Sequence, residues 1–305
     1  MRLPDIFSPH LASSLQSFSI FVGNLNFHKF VMNNFIQRAL SGTVFVLLLV
    51  GSIIWTRYSF GILFAVITAF VIHEFHKLTN QQENVRVNKA FAVIGAVIIF
   101  ASSFLYYAFY DDVSTNIFLI YALFVAAVFI AELYRKQAQP VHNWAYFILG
   151  QAYIALPFAL LNFILFSSGY QPLILLAVFI TIWVNDTGAY ITGITFGKRR
   201  LFERISPKKS WEGFFGGVFF SLISAYVFFL WIGGMSLIQW IVFTQIIVVF
   251  GTFGDLIESL LKRTLSVKDS GGAIPGHGGL LDRFDSMLIA VPVIFVYLQL
   301  ITLVN

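Results

Sequence analysis

The sequence predicts an all-α, polytopic integral membrane bundle of about nine transmembrane helices. Three observations carry that prediction. Hydrophobic residues make up 58% of the 305 positions and charged residues only 11%, whereas soluble domains run at about 45–50% apolar. Mean hydropathy is correspondingly high, at +0.84. The apolar residues fall in successive runs of about 20, the length at which a helix crosses the hydrocarbon core of a bilayer.

Taken in order, the runs place helices at about 39–56, 58–75, 88–109, 113–131, 143–166, 171–191, 212–233, 236–256 and 286–304. The first two meet in a tight turn near Arg57 and Tyr58. Residues 1–38 precede them, with Arg2, Lys29, Arg38 and an apolar patch, Phe18 to Val22, too short to span. That patch lacks the basic n-region and small-residue cleavage pattern of a secretory signal. The stretch reads as an interfacial or disordered lead on the cytoplasmic side, with Met32 an alternative start. Residues 39–170 read as a transmembrane scaffold. Residues 171–305 read as the catalytic region, with cytosolic loops at 192–211 and 257–285.

Charge placement supports this layout. With nine spans, 18 of the 19 Lys and Arg residues fall on one side and only Arg57 lies opposite. Basic loops mark the cytoplasm, which sets the orientation in a plasma membrane. The same asymmetry accounts for the net charge of +5 without a nucleic-acid partner. The absence of cysteine excludes disulfides, cysteine-held zinc, iron–sulfur ligation and thiol nucleophiles.

Against this background one stretch stands out. Between Asp255 and Asp285 lie five of the 14 acidic residues, Asp255, Glu258, Asp269, Asp282 and Asp285, with Lys262, Arg263, Lys268 and Arg283 among them. Ionised groups near bilayer depth cost several kcal/mol unless paired or hydrated, so such a cluster marks a functional site. On a helix Asp255, Ser259 and Lys262 or Arg263 share one stripe. Downstream, Gly276, His277, Gly278 and Gly279 free the backbone to form an anion-binding nest, for which phosphate is the natural guest. His277, titrating near neutrality, is a candidate acid, base or phosphate donor. Carboxylates beside phosphates suit Mg²⁺, which binds through one or two carboxylates together with substrate oxygens.

A second polar group starts at the end of the sixth span. Asn185-Asp186-Thr187-Gly188-Ala189-Tyr190 puts a carboxylate into an apolar run. It is followed by Gly197-Lys198-Arg199-Arg200 and Ser206-Pro207-Lys208-Lys209-Ser210-Trp211-Glu212-Gly213.

The run from Ser259 through Leu261-Lys262-Arg263, Lys268-Asp269, Gly271, Ile274-Pro275 and His277-Gly278-Gly279-Leu280 to Asp282-Arg283-Phe284-Asp285 resembles the signature of the phosphatidate cytidylyltransferases, or CDP-diacylglycerol synthases. The Asp186 element and the Lys208-Lys209 loop resemble two further elements of that family. The resemblance covers roughly residues 185–286.

It implies a bacterial inner-membrane enzyme that transfers a cytidylyl group from CTP to phosphatidic acid, releasing pyrophosphate, with its site facing the cytoplasm. Asp255 and Asp282 would hold Mg²⁺, supported by Asp285 and Asp186, with room among the acids for a second cation. Lys262, Arg263, Lys268 and Arg283 would clamp phosphates, and Gly276, Gly278 and Gly279 would supply backbone donors. Ser259, Asp269 and His277 complete the catalytic set, while Lys208 and Lys209 face substrate or membrane lipid headgroups. A homodimer is permitted at family level.

Other readings compete. The same headgroup chemistry serves another lipid or polyprenol phosphate. Asp186 and Asp255 at span ends also suit a cation-coupled transporter, though the acids cluster on one side. His73 and His76 have zinc-like spacing but no evident third ligand nearby, so with Glu74 they read as interface residues at the end of the second span, and Glu132 reads as the same kind of helix-end residue. Gly216-Gly217 reads as a close helix contact.

Overall fold

The computed structural model describes residues 36, 39–110, 112–267, 270–271 and 278–304. Its elements in order are α1 (Ala39–Trp55), α2 (Arg57–Thr79), α3 (Lys89–Ala108), α4 (Phe118–Tyr134), α5 (Pro140–Gly150), α6 (Leu156–Phe166), α7 (Pro172–Phe196), strands β1 (Arg200–Phe202) and β2 (Ser206–Ser210), α8 (Trp211–Trp231), α9 (Leu237–Thr264) and α10 (Leu281–Val304). A π-turn, Gln151–Ala155, joins α5 to α6 in one span, Pro140–Phe166. Among the described residues eight helices are long and apolar enough to cross a membrane, with α1 a shorter ninth. The predicted bundle of about nine helices is therefore observed. Most of the lead at 1–38, together with Lys268, Asp269, Gly276 and His277, lies outside the described residues.

Local chemistry sets the breaks. Between α1 and α2, Thr56 is extended and accepts the Ser59 N–H while Ser59 returns the contact, a reciprocal cap that satisfies the otherwise orphaned donors of a new helix. Arg57 donates to the Ala108 carbonyl at 2.7 Å and lies over the Phe109 ring.

The helices carrying the predicted site run further than hydropathy suggests. Helix α7 continues to Phe196, α9 to Thr264, and α10 begins at Leu281. Polar residues end an apolar window without breaking a backbone ladder, and Lys262 and Arg263 in the last turn of α9 suit the negative end of its dipole. So much of the expected 257–285 loop is helix, and the expected 192–211 loop is largely an antiparallel hairpin.

The core is a cluster of interlocked aromatic rings in which Phe284, only 2% exposed, meets Phe45 of α1, Phe158 of α6 and Phe179 of α7. That ring fixes the rotation of α10 and turns Asp282 and Asp285, either side of it, to one face. Helices α7 and α8 approach through Gly217, where a Cβ would stand 3.1 Å from Asn185 Cγ, the small-residue packing expected of membrane helices. Helices α9 and α10 approach through Gly254, where a Cβ would stand 3.0 Å from the Ser286 carbonyl oxygen. That approach lets the acids of α9 and α10 face one another.

Two expectations are corrected. Only His73 of its trio is exposed in the way an interface residue would be; Glu74 and His76 are buried, because α2 presents them to the bundle. Glu132 is also buried, where Arg135 pairs with it at 2.6 Å and Asn143 donates to it at 2.6 Å.

Candidate active site

The site forms where α7, the hairpin, α8, α9 and α10 meet. Ser210 ends the hairpin and caps α8 by accepting the Gly213 N–H at 3.1 Å. Two residues on, the Glu212 carboxylate accepts the Lys198 and Arg199 amides at 3.1 and 3.2 Å. The Ser-Pro-Lys-Lys-Ser-Trp-Glu-Gly segment thus clamps the chain entering β1, the strand paired with its own β2, which carries Lys208 and Lys209. Beneath them is a cavity of about 690 Å³, within the usual ~300–1,000 Å³ range of ligand pockets, lined among others by Asp186, Tyr190, Arg200, Lys208, Lys209 and Asp255. Asn185 donates to Asp186 at 3.4 Å.

The carboxylates of Asp255, Glu258 and Asp285 converge, each offering an oxygen within 4.8 Å of the others. Asp255 belongs to both features: it lines the cavity and forms part of the triad. It pairs with Lys209 and accepts from Ser259 at 3.2 Å, so the predicted Asp255–Ser259 stripe is present. Asp285 accepts the Ser286 N–H at 2.5 Å. Glu258 is fully buried; Lys262 forms an ion pair with it at 2.5 Å, and among the described residues neither carboxylate oxygen has an aligned hydrogen bond.

Asp282 is placed differently from the triad. Its Oδ1 accepts from Lys262 at 2.8 Å, and its Oδ2 accepts the amides of Ser270 and Gly279, each at 3.1 Å. The protein's own carboxylate therefore takes part of the donor set that the glycine run offers. Gly278 has φ +81°, the conformation for which glycine is suited. Arg263 and Arg283 are exposed. Of the three acids expected at a metal, the structure joins Asp255 and Asp285 with Glu258, while Asp282 faces Lys262 and the loop.

Glu258 was legible by spacing, since it follows Asp255 by three on one helix and so shares its face. Tyr153 was not. It sits in the π-turn, a distortion frequent at functional sites. Its hydroxyl is buried without a hydrogen-bond partner among the described residues, in electrostatic range of Glu258, Asp285 and Asp255. Nothing in an apolar run forecasts that turn.

Residues 36–301 match the model of the cytidylyltransferase family. The chain belongs to this family. Among its relatives, a phosphatidate cytidylyltransferase of Haemophilus influenzae is 45% identical over 124 residues, 39% of this chain and 43% of the relative. Those of Bacillus subtilis and Staphylococcus saprophyticus are 46% and 45% identical over 123 and 125 residues, covering 40% and 41% of this chain and 45% and 48% of the relatives. The matched stretch thus spans about half the length of these curated relatives. Within the family's range fall the hairpin, the cavity and all three converging acids.

Proposed function

We propose that this cytidylyltransferase-family member transfers the cytidylyl group of CTP to phosphatidic acid, giving CDP-diacylglycerol and pyrophosphate at the cytoplasmic face of a bacterial plasma membrane. One observation carries the reading: Asp255 joins a cation-lined cavity to a triad of carboxylates within a membrane bundle. The cavity suits a polyphosphate beside a divalent ion, and the membrane setting suits a lipid acceptor. The names of the relatives supply the nucleotide and the lipid.

In the proposed reaction a phosphate oxygen of phosphatidic acid bonds to the α-phosphorus of CTP as the bond to the leaving pyrophosphate breaks. Such transfers ask the protein for positioning and charge neutralisation more than for covalent chemistry. Arg200, Lys208 and Lys209 line the cavity and would receive the triphosphate. Lys262 holds Glu258 and Asp282 in register across α9 and α10.

The residues present fit a hard divalent cation. Three carboxylates converge, with the Lys262 ammonium at Glu258 and that of Lys209 at Asp255, and such a set of carboxylate oxygens beside a phosphate-sized cavity is the donor type a hard divalent ion takes. Asp255, Glu258 and Asp285 would hold Mg²⁺, which when bound neutralises phosphate charge and stabilises the leaving oxygen. Asp186, which lines the cavity with Asp255, and Asp282, one turn from Asp285, support that set. Lys268, Asp269 and His277 enter the proposal on the resemblance alone.

The test is release of pyrophosphate together with CDP-lipid from labelled CTP and phosphatidic acid, by purified protein in detergent micelles, with Mg²⁺ or with chelator. Product that needs Mg²⁺ and is lost in Asp285→Asn supports the proposal. Turnover only with another lipid phosphate would change the substrate. No CTP turnover by folded protein with any lipid phosphate would sink the enzyme reading.

A further inference from the structure

The cytidylyl-transfer reading places the working groups in the C-terminal half, yet one contact ties the signature to the other half of the chain. Near the end of α2, Glu74 accepts the backbone N–H of Leu281 at 3.0 Å, across 207 positions. Its side chain is buried. Leu281 opens α10, so the carboxylate stands where a helix N-terminus presents unpaired donors and positive dipole, and where an anionic cap is favoured.

Two signature glycines are shaped around this carboxylate. A Cβ at Gly271 would stand 2.9 Å from Glu74 Cδ, and one at Gly279 would stand 2.8 Å from Glu74 Oε2. On the other side of the same backbone, Asp282 accepts from Ser270 and Gly279. The described part of the segment is therefore held between two carboxylates, one from α10 itself and one from α2.

We infer that Glu74 is a positioning residue for the active site: by fixing the N-terminus of α10 it sets the register of Asp282, Arg283 and Asp285 against α9. It touches none of the reacting groups in this arrangement and acts through the Leu281 amide at the start of α10. The kinetic part of the inference rests on the cytidylyl-transfer reading; the structural part does not.

The experiment compares Glu74→Ala, Glu74→Asp and Glu74→Gln in the full-length protein in detergent, reading backbone hydrogen exchange and steady-state kinetics together. Alanine leaves the Leu281 amide unpaired and aspartate is one methylene too short, so both should raise exchange at residues 279–282 by about tenfold or more, with exchange in α3 and α4 unchanged. Glutamine retains an accepting oxygen and should restore protection to within about threefold. In the kinetic arm kcat should fall about 10- to 100-fold for alanine and aspartate, recover with glutamine, and leave the KM for lipid nearly unchanged. If alanine does not fold, the aspartate and glutamine pair decides.

Wild-type exchange at 279–282 and wild-type kcat in the aspartate variant would overturn the inference. So would loss of protection spread evenly over the bundle. A selective loosening at 279–282 in a protein that turns over no CTP would uphold the latch and remove the cytidylyl-transfer reading instead.

Discussion

Lys262 Nζ lies 2.8 Å from Asp282 Oδ1, joining the end of α9 to the start of α10. The same ammonium lies 2.5 Å from Glu258, whose side chain is fully buried. Removing one partner of a buried pair leaves an uncompensated charge, which costs about 3–5 kcal/mol. Lys262→Met is expected to lower the unfolding midpoint in detergent and abolish most activity. Adding Glu258→Gln should recover part of the lost stability, because the stranded charge disappears, while activity stays low. A double mutant less stable than the sum of the two single changes would contradict this account.

The fold was largely legible because bilayer thickness constrains apolar run length so tightly, and the runs at 39–56 and 88–109 closely anticipate α1 and α3. Ends were less legible where function sits. Asp255 and Glu258 close a hydropathy window but not a helix, which runs on to Thr264, so α9 carries its acids on a rigid element rather than in a loop. Asp255 and Ser259 were readable from their spacing, and the structure shows them bonded. Glu74 was visible as an acid in an apolar run. Its partner, 207 positions away, was not, since no local pattern encodes a contact with a backbone amide of another helix.

The triad of Asp255, Glu258 and Asp285 should be the cation site. Asp255→Asn and Asp285→Asn each remove charge without changing size, and each is expected to lower kcat by about 100-fold or more, as when charge stabilisation is lost in a desolvated site. Direct binding gives an independent readout: Mn²⁺, titrated by electron paramagnetic resonance, should bind the wild type and bind at least about tenfold more weakly to either variant. Asp282→Asn is expected to affect Mn²⁺ affinity less, because that carboxylate serves Lys262 and the amides of Ser270 and Gly279. Equal loss in all three variants would place Asp282 within the cation's direct ligands.

Phe284 connects packing to the site. Its ring is packed among those of Phe45, Phe158 and Phe179, and truncating such a ring in a core costs about 3–5 kcal/mol. Phe284→Ala should therefore lower the unfolding midpoint markedly. Phe284→Leu, which keeps much of the volume, should recover most of the stability yet still reduce kcat, because the rotation of α10 is less sharply set. Thermal unfolding and turnover measured on the same preparations separate the two effects. Full activity in Phe284→Leu would show that α10 is oriented by its other contacts.

The two adjacent lysines of β2 should part company. Both line the cavity, but Lys209 pairs with Asp255 whereas Lys208 is exposed. Lys209→Met leaves the Asp255 carboxylate without its ammonium partner and disturbs a member of the triad. Its main effect should be on kcat, about tenfold or more, since a small misplacement of a catalytic group is costly. Lys208→Met removes only a cation facing the cavity, so it should raise the KM for CTP severalfold and weaken its dependence on ionic strength, with kcat nearly preserved. Kinetics at two salt concentrations check both. If Lys208→Met instead changes only the KM for the lipid, that lysine serves the membrane headgroups rather than the nucleotide.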